Sequence, residues 1–265
     1  MFSLEIECAP AHLELLIADL WEQGCAGISE LDTSRVRAFF EDSASREDLC
    51  RRYPGALVRV EEERDWVESA RDLLQPIAVG ARFFLVPEWR NDPAPPGRFR
   101  ITVNPGMAFG TGVHETTQLM LEALEEYIMP GMTVLDVGTG SGILGEVAQL
   151  LGAERVFACD TDPDAIEVAR RRLACCFVGS VGAVWPAIAD VALANISPEA
   201  IVELAPELLA CLRTGGILLA SGFEASELPL IKAALPDIAE VRYKRSWALA
   251  VVRAASPAPG VSRRQ

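Results

Sequence analysis

Residues 134–144, VLDVGTGSGIL, constrain the fold more than any other stretch of the chain. An apolar run of strand character enters a turn with glycine at 138, 140 and 142, then leaves as an apolar helix. Glycine allows positive φ and close approach of the backbone to a ligand, and the helix that follows points free N–H groups at it. The flanking sequence repeats the alternation, the pattern of a parallel sheet wrapped by helices. Helix His114–Tyr127 and strand Thr133–Val137 come first, then helix Ile143–Leu151, strand Arg155–Cys159 and helix Pro163–Ala174. Strand Val191–Ala194, helix Pro198–Leu212, strand Gly216–Ser221 and helix Ala225–Leu235 follow, and strand runs Ile238–Tyr243 and Trp247–Val252 close the series.

The first 65 residues have a different rhythm. FSLEIEC alternates apolar and polar residues as a half-buried strand does. A helix is expected over Pro10–Gln23, strands over Cys25–Leu31 and Arg35–Glu41, a short helix over Ala44–Tyr53 and a strand over Ala56–Glu62. That order, β-α-β-β-α-β, is the ferredoxin-like split motif. A connecting helix at Asp65–Leu74 and two strands, Arg82–Val86 and Arg98–Val103, lie between the two regions.

The 265 residues carry 24 Lys+Arg against 38 Asp+Glu, a net charge of −14. Such a surface repels phosphate backbones and anionic lipid, so neither direct nucleic-acid binding nor membrane binding is expected. Residues 1–65 hold 15 acids and 7 bases, the densest acidic block, which suits either plain solubility or a basic partner. Seven scattered cysteines without a C-x-x-C pair predict reduced thiols, no metal site and a cytoplasmic protein. Cys175 and Cys176 are expected to be buried as apolar residues. The start lacks the basic and apolar regions of a secretory signal, and Asp190 and Asn195 interrupt the apolar stretch at 181–202.

The glycine spacing is G-x-G-x-G, not the G-x-G-x-x-G of dinucleotide folds, and Asp136 stands two residues before the first glycine. The next strand, RVFAC, ends in Asp160, a carboxylate suited to two ribose hydroxyls. Together these resemble the S-adenosylmethionine-binding core of class I methyltransferases. A nicotinamide-binding turn and a purely structural one are the alternatives, and the early third glycine favours the methyl donor. Residues 104–124, NPGMAFGTGVHETTQLMLEAL, place a glycine-rich loop before a helix whose first turn carries Glu115, Thr116 and Thr117. Helix-start amides beside hydroxyls make a seat for a carboxylate, such as the methionine end of the donor. This segment resembles the (D/N)PGxAFGTGxHxTT signature of the methyltransferases that modify ribosomal protein L-eleven (L11). Residues 65–89 are similar to that family's linker and domain entry, and ALANIS (192–197) to its strand-four end.

The resemblance implies an α/β fold: a class I methyltransferase Rossmann-like sheet with a small N-terminal ferredoxin-like α+β domain. It implies substrate recognition by residues 1–64, a linker helix over 65–80, an S-adenosylmethionine-binding methyltransferase domain over 81–254 and a flexible tail at 255–265. The implied activity is S-adenosylmethionine-dependent N-methylation of lysine, and of N-terminal, amines of the basic protein L11. A related methyltransferase with another protein or small-molecule substrate, or a donor-binding relative with weak catalysis, are the alternatives. Phe109, Thr111, Thr117, Gly138, Gly140, Asp160 and Asn195 match donor-binding positions, and Asn195 also the catalytic one. Asn195 has a second reading as a helix cap, but Ser197-Pro198 forms the better pair for that. His114 is expected to open the helix. The chain departs from the family at Asn104, where Asp is usual, and between Asp160 and Asn195, which is several residues short. There RRRLACCFVGSVGAVWPAIAD (170–190) is expected to replace the helix end and the third strand, with Phe177 and Trp185 in the core or stacked on the adenine.

Overall fold

The computed structural model describes residues 2–9, 12–25, 27–32, 34–41, 44–60, 75–104, 114–235 and 237–254. The chain divides into two compact units, Met1–Leu73 and Leu74–Gln265. The predicted helix at Asp65–Leu74, the loop carrying Phe109 and Thr111, and the tail from residue 255 lie outside the described residues.

In the first unit, β1 (Phe2–Glu7), α1 (Leu13–Glu22), β2 (Gly27–Asp32), β3 (Arg35–Phe40), α2 (Arg46–Arg52) and β4 (Leu57–Val60) follow the split order. The sheet runs β2-β3-β1-β4, every neighbouring pair antiparallel. Strand alternation puts Phe2, Leu4 and Ile6 on one face with Val36, Ala38 and Phe40, where they pack against Leu20, Leu49 and Tyr53. The other face carries Glu5, held by Arg37 at 3.1 Å, Arg59 at 3.3 Å and Arg35 at 3.5 Å. Asp19 joins the two helices through Arg52 and the Tyr53 hydroxyl, and the Arg52 guanidinium holds its carboxyl below the ordinary range.

The second unit opens with a small sheet, β5 (Ile77–Val79), β6 (Phe83–Pro87) and β7 (Phe99–Val103), in that order. The large sheet is built from β8 (Thr133–Val137), β9 (Arg155–Asp160), β10 (Cys175–Val178), β11 (Ala189–Asn195), β12 (Leu212–Glu224), β13 (Ile238–Lys244) and β14 (Trp247–Arg253). Among the described residues, five helices accompany it: α3 (Glu115–Tyr127), α4 (Ile143–Leu150), α5 (Pro163–Ala169), α6 (Pro198–Ala210) and α7 (Leu228–Ala234). Strand order is β10-β9-β8-β11-β12-β14-β13, parallel as far as β12, with β14 antiparallel to both neighbours. Every residue of β8 is buried, as a central strand covered on both faces requires. One core joins the small sheet, α3 and α4; the other lies under α6 and α7. Leu119, Met120, Leu121, Ala123 and Leu124 of α3 are all buried, each large one contributing about 1.5–3 kcal/mol. Among the described residues, no helix is long and apolar enough to cross a membrane.

The structure corrects several expectations. The third strand is not replaced: Cys175–Val178 pairs in parallel with Phe157–Asp160 as β10, and the preceding helix stops at Ala169. The Arg-rich stretch favours helix locally, but the buried Leu173 turns the chain back so that β10 meets the sheet edge. Cys175 is exposed at that edge and Trp185 is 81% exposed, so neither is a core residue. β5 went unforeseen because three residues after Pro76 are too few to show a period. β12 extends well beyond Gly216–Ser221, and Pro229 in the first turn of α7 divides the Ala225–Leu235 helix into a 3₁₀ turn and α7.

Candidate functional site

The strand order reverses at β8, with β9 on one side and β11 on the other. In a parallel sheet the crevice beyond the carboxyl ends at such a point is where a ligand fits. The registers Val137↔Cys159, Val137↔Ala194 and Asn195↔Ser221 bring Asp160, Gly138, Asn195 and Ser221 side by side along that edge.

The turn after β8 needs its glycines, since φ is +68° at Gly138, +53° at Gly140 and +79° at Gly142. The amides of Gly138 and Thr139 both donate to the Cys159 carbonyl, at 2.9 and 3.0 Å. The Gly140 amide donates to Asp160 Oδ2 at 2.9 Å, and the Asp162 amide to Asp160 Oδ1 at 3.0 Å. Beneath the turn, the fully buried Asp136 accepts the Thr139 hydroxyl at 2.6 Å and the Gly145 amide at 3.2 Å through Oδ2. Its Oδ1 has no partner among the described residues, and burial pushes its pKa up to about 6.

Asn195 ends β11, and its Oδ1 is buried without a hydrogen-bond partner among the described residues. The helix after it is capped by Ser197, whose hydroxyl accepts the Ala200 amide at 3.3 Å, with Pro198 at the first turn. Asn195 is therefore not the cap. The adjoining Ile196 amide donates to the Ser221 carbonyl at 3.2 Å, and the Ser221 hydroxyl donates to the Ala248 carbonyl at 2.8 Å.

His114 opens α3, as expected. Its Nδ1 accepts the Thr116 amide at 3.3 Å and lies 2.8 Å from the Thr116 hydroxyl, while its ring meets Trp247 edge-on with centroids 4.6 Å apart. Thr117 is buried in the same turn. Glu115 pairs with Arg245 at 2.8 Å. The structure thus groups Gly138, Gly140, Asp160 and Asn195 on one edge, with Thr117 in the first turn of α3. Sequence reasoning missed Ser221 and Gly222 opposite Asn195, and Trp247 behind His114. The one trace of them was a glycine directly after the apolar run ILLAS.

These residues fit a cationic, ribose-containing donor. A Cβ on Gly138 would fall 2.2 Å from Ile196 Cγ2, so this position must stay bare backbone. The oxygens of Asn195 and Asp136 that have no partner among the described residues are buried acceptors suited to a donor or a positive charge. A parallel sheet closed by one reversed strand, with an open glycine turn where its order reverses, is the architecture of the class I methyltransferases. S-adenosylmethionine is their methyl donor.

The model of the family described as ribosomal protein L11 methyltransferase matches residues 52–254. The chain belongs to that family. Its relatives include proteins named ribosomal protein L11 methyltransferase from Pelobacter propionicus, 42% identical over 77% of this chain and 72% of that one, and from Deinococcus radiodurans, 35% identical over 85% and 84%. A third, from Symbiobacterium thermophilum, is 40% identical over 66% of this chain but only 60% of its own length. The crystal structure of a ribosomal protein L11 methylase from Lactobacillus delbrueckii subsp. bulgaricus superposes with a TM-score of 0.62 at 32% identity. It covers 68% of this chain and 99% of that one.

Proposed function

We propose that this protein N-methylates amines of ribosomal protein L11, on lysine side chains and at the N-terminus, in the cytoplasm. The observation that carries this reading is the buried Oδ1 of Asn195 beside the glycine turn, without a partner among the described residues. Gly138 and Gly140 would lie against the donor, Asp160 would take its ribose, and Thr117 with the start of α3 would take its carboxylate. Phe109 and Thr111, outside the described residues, would cover it. When bound, the donor supplies a methyl group already activated by positive sulfur.

Transfer is an in-line displacement by a neutral amine, so the chain needs no strong acid or base. Asn195 Oδ1 accepts an N–H of the incoming amine and thereby aims its lone pair. Entry into a dry site lowers an amine's pKa and helps it shed its proton. Holding two reactants in line contributes on the order of 7–11 kcal/mol. Residues 1–64 serve as the recognition module, 65–80 as linker and 81–254 as the methyltransferase domain. The acidic balance of the first 65 residues supports this division, because ribosomal proteins are typically basic.

Intact-mass measurement of purified L11 before and after incubation with the protein and donor tests the substrate. Added masses of 14 Da multiples are expected. Unmodified L11 in a sample that binds donor would assign the activity to another substrate. Asn195→Ala should abolish most turnover while donor binding, followed by calorimetry, persists.

A further inference from the structure

Ile196 stands between the two halves of the reaction. Its side chain faces the donor turn: a Cβ built on Gly138 would fall 2.2 Å from Ile196 Cγ2 and 3.7 Å from its Cβ. Its backbone faces β12. At Gly222, where φ is +101°, a Cβ would fall 2.0 Å from the Ile196 carbonyl oxygen, 2.8 Å from its carbon and 3.0 Å from its nitrogen. The Ile196 amide is pinned to the Ser221 carbonyl at 3.2 Å, and Ser221 is itself fixed to Ala248 through its hydroxyl. Two glycines with positive φ, 84 residues apart, thus clear the space for one residue, and that residue directly follows Asn195.

We propose that Ile196 is a positioning residue that sets how far Asn195 stands from the bound donor. Its β-branch is the working part. Cγ2 leaves the side chain at Cβ, so it presses on Gly138 from a point that χ1 fixes almost rigidly. The bond from its amide to the Ser221 carbonyl holds the backbone of Ile196 against the bare backbone of Gly222 on the other side. The donor turn and the amine-orienting asparagine therefore move as one body. The proposal rests on the reading of Asn195 given above.

The test separates shape from volume. Ile196→Leu keeps the carbon count but moves the branch from Cβ to Cγ; Ile196→Val loses a carbon but keeps the branch. Residue 196 is only partly buried, so both variants should fold, which thermal melting checks. Ile196→Val is expected to stay within about threefold of the parent in kcat. Ile196→Leu is expected to lose about 10²-fold in kcat, the scale of a 1 Å misplacement, with KM for protein substrate nearly unchanged. Donor affinity, measured by calorimetry with S-adenosylhomocysteine, should change by less than about threefold in both. Gly222→Ala should repeat the leucine pattern. Equal activity of the leucine and valine variants would overturn the proposal, because simple filling of space would then suffice. So would a loss of donor affinity matching the loss of kcat. Asn195→Ala, assayed alongside, distinguishes the two failures: full turnover there removes the role of Asn195, whereas an inactive Asn195→Ala with an active Ile196→Leu removes the clamp alone.

Discussion

The backbone amide of Gly140 donates to the carboxylate of Asp160 across 2.9 Å, so the glycine turn of one strand and the acidic end of the next form a single unit. The Asp162 amide holds the other oxygen. Two amides fix the plane of the carboxylate while leaving lone pairs free for hydroxyl groups. Asp160→Ala is expected to raise the donor dissociation constant roughly 10–100-fold, since hydrogen bonds to a charged group contribute about 1.5–3 kcal/mol. Calorimetry measures this directly, and unchanged affinity would remove Asp160 from the donor site.

Asp136 gives the fold a pH dependence of known sign. Its folded pKa of about 6 lies above the ordinary 3.8, so the folded chain holds this proton more tightly than the unfolded one. Its contribution is fully present below the ordinary value and is lost as pH rises through about 6. Asp136→Asn does not titrate, so the variant should gain on the parent over that interval. At about 1.4 kcal/mol per unit, the gain is roughly 3 kcal/mol at most. Urea unfolding at a series of pH values checks it. Parallel stability curves would show that the buried carboxylate carries no net penalty.

His114 is expected to stabilise the start of α3 by capping and by its contact with Trp247. Loss of an N-cap costs about 1 kcal/mol. His114→Ala should lower unfolding free energy by that order, and His114→Asn, which can still cap, should recover most of it. Full recovery in the asparagine variant would leave the Trp247 ring contact without a measurable share.

The net charge of −14 leads to a kinetic expectation. If acidic surface steers a basic substrate, kcat/KM for L11 should fall as salt is raised from about 0.05 to about 0.5 M, with kcat nearly constant. A flat profile would reduce the acidic block to a solubility device.

The parts of the candidate site written contiguously were legible in the sequence. The glycine turn, the acid at the next strand end and the Asn-Ile-Ser-Pro run each announce themselves through residue type and local spacing. What escaped was set by pairing between distant segments. β10 is a strand because β9 offers it an edge, although Arg170–Leu173 favour helix. Gly222 matters because the parallel register of β11 and β12 places it under Ile196, a relation that no local pattern records. Trp185 was misplaced for the opposite reason, since a large aromatic usually seeks the core and this one does not.

β14 lies between β12 and β13 and pairs with both. During synthesis, then, β13 has no place in the sheet, and β12 keeps an open edge, until residues 247–253 have emerged from the ribosome. The candidate site is supported from behind by that same strand, through the bond from Ser221 to Ala248. A chain interrupted anywhere before Trp247 would yield an exposed sheet edge instead of a weakened enzyme. The sheet edge beside the candidate site is thus closed only once residues 247–253 have been made.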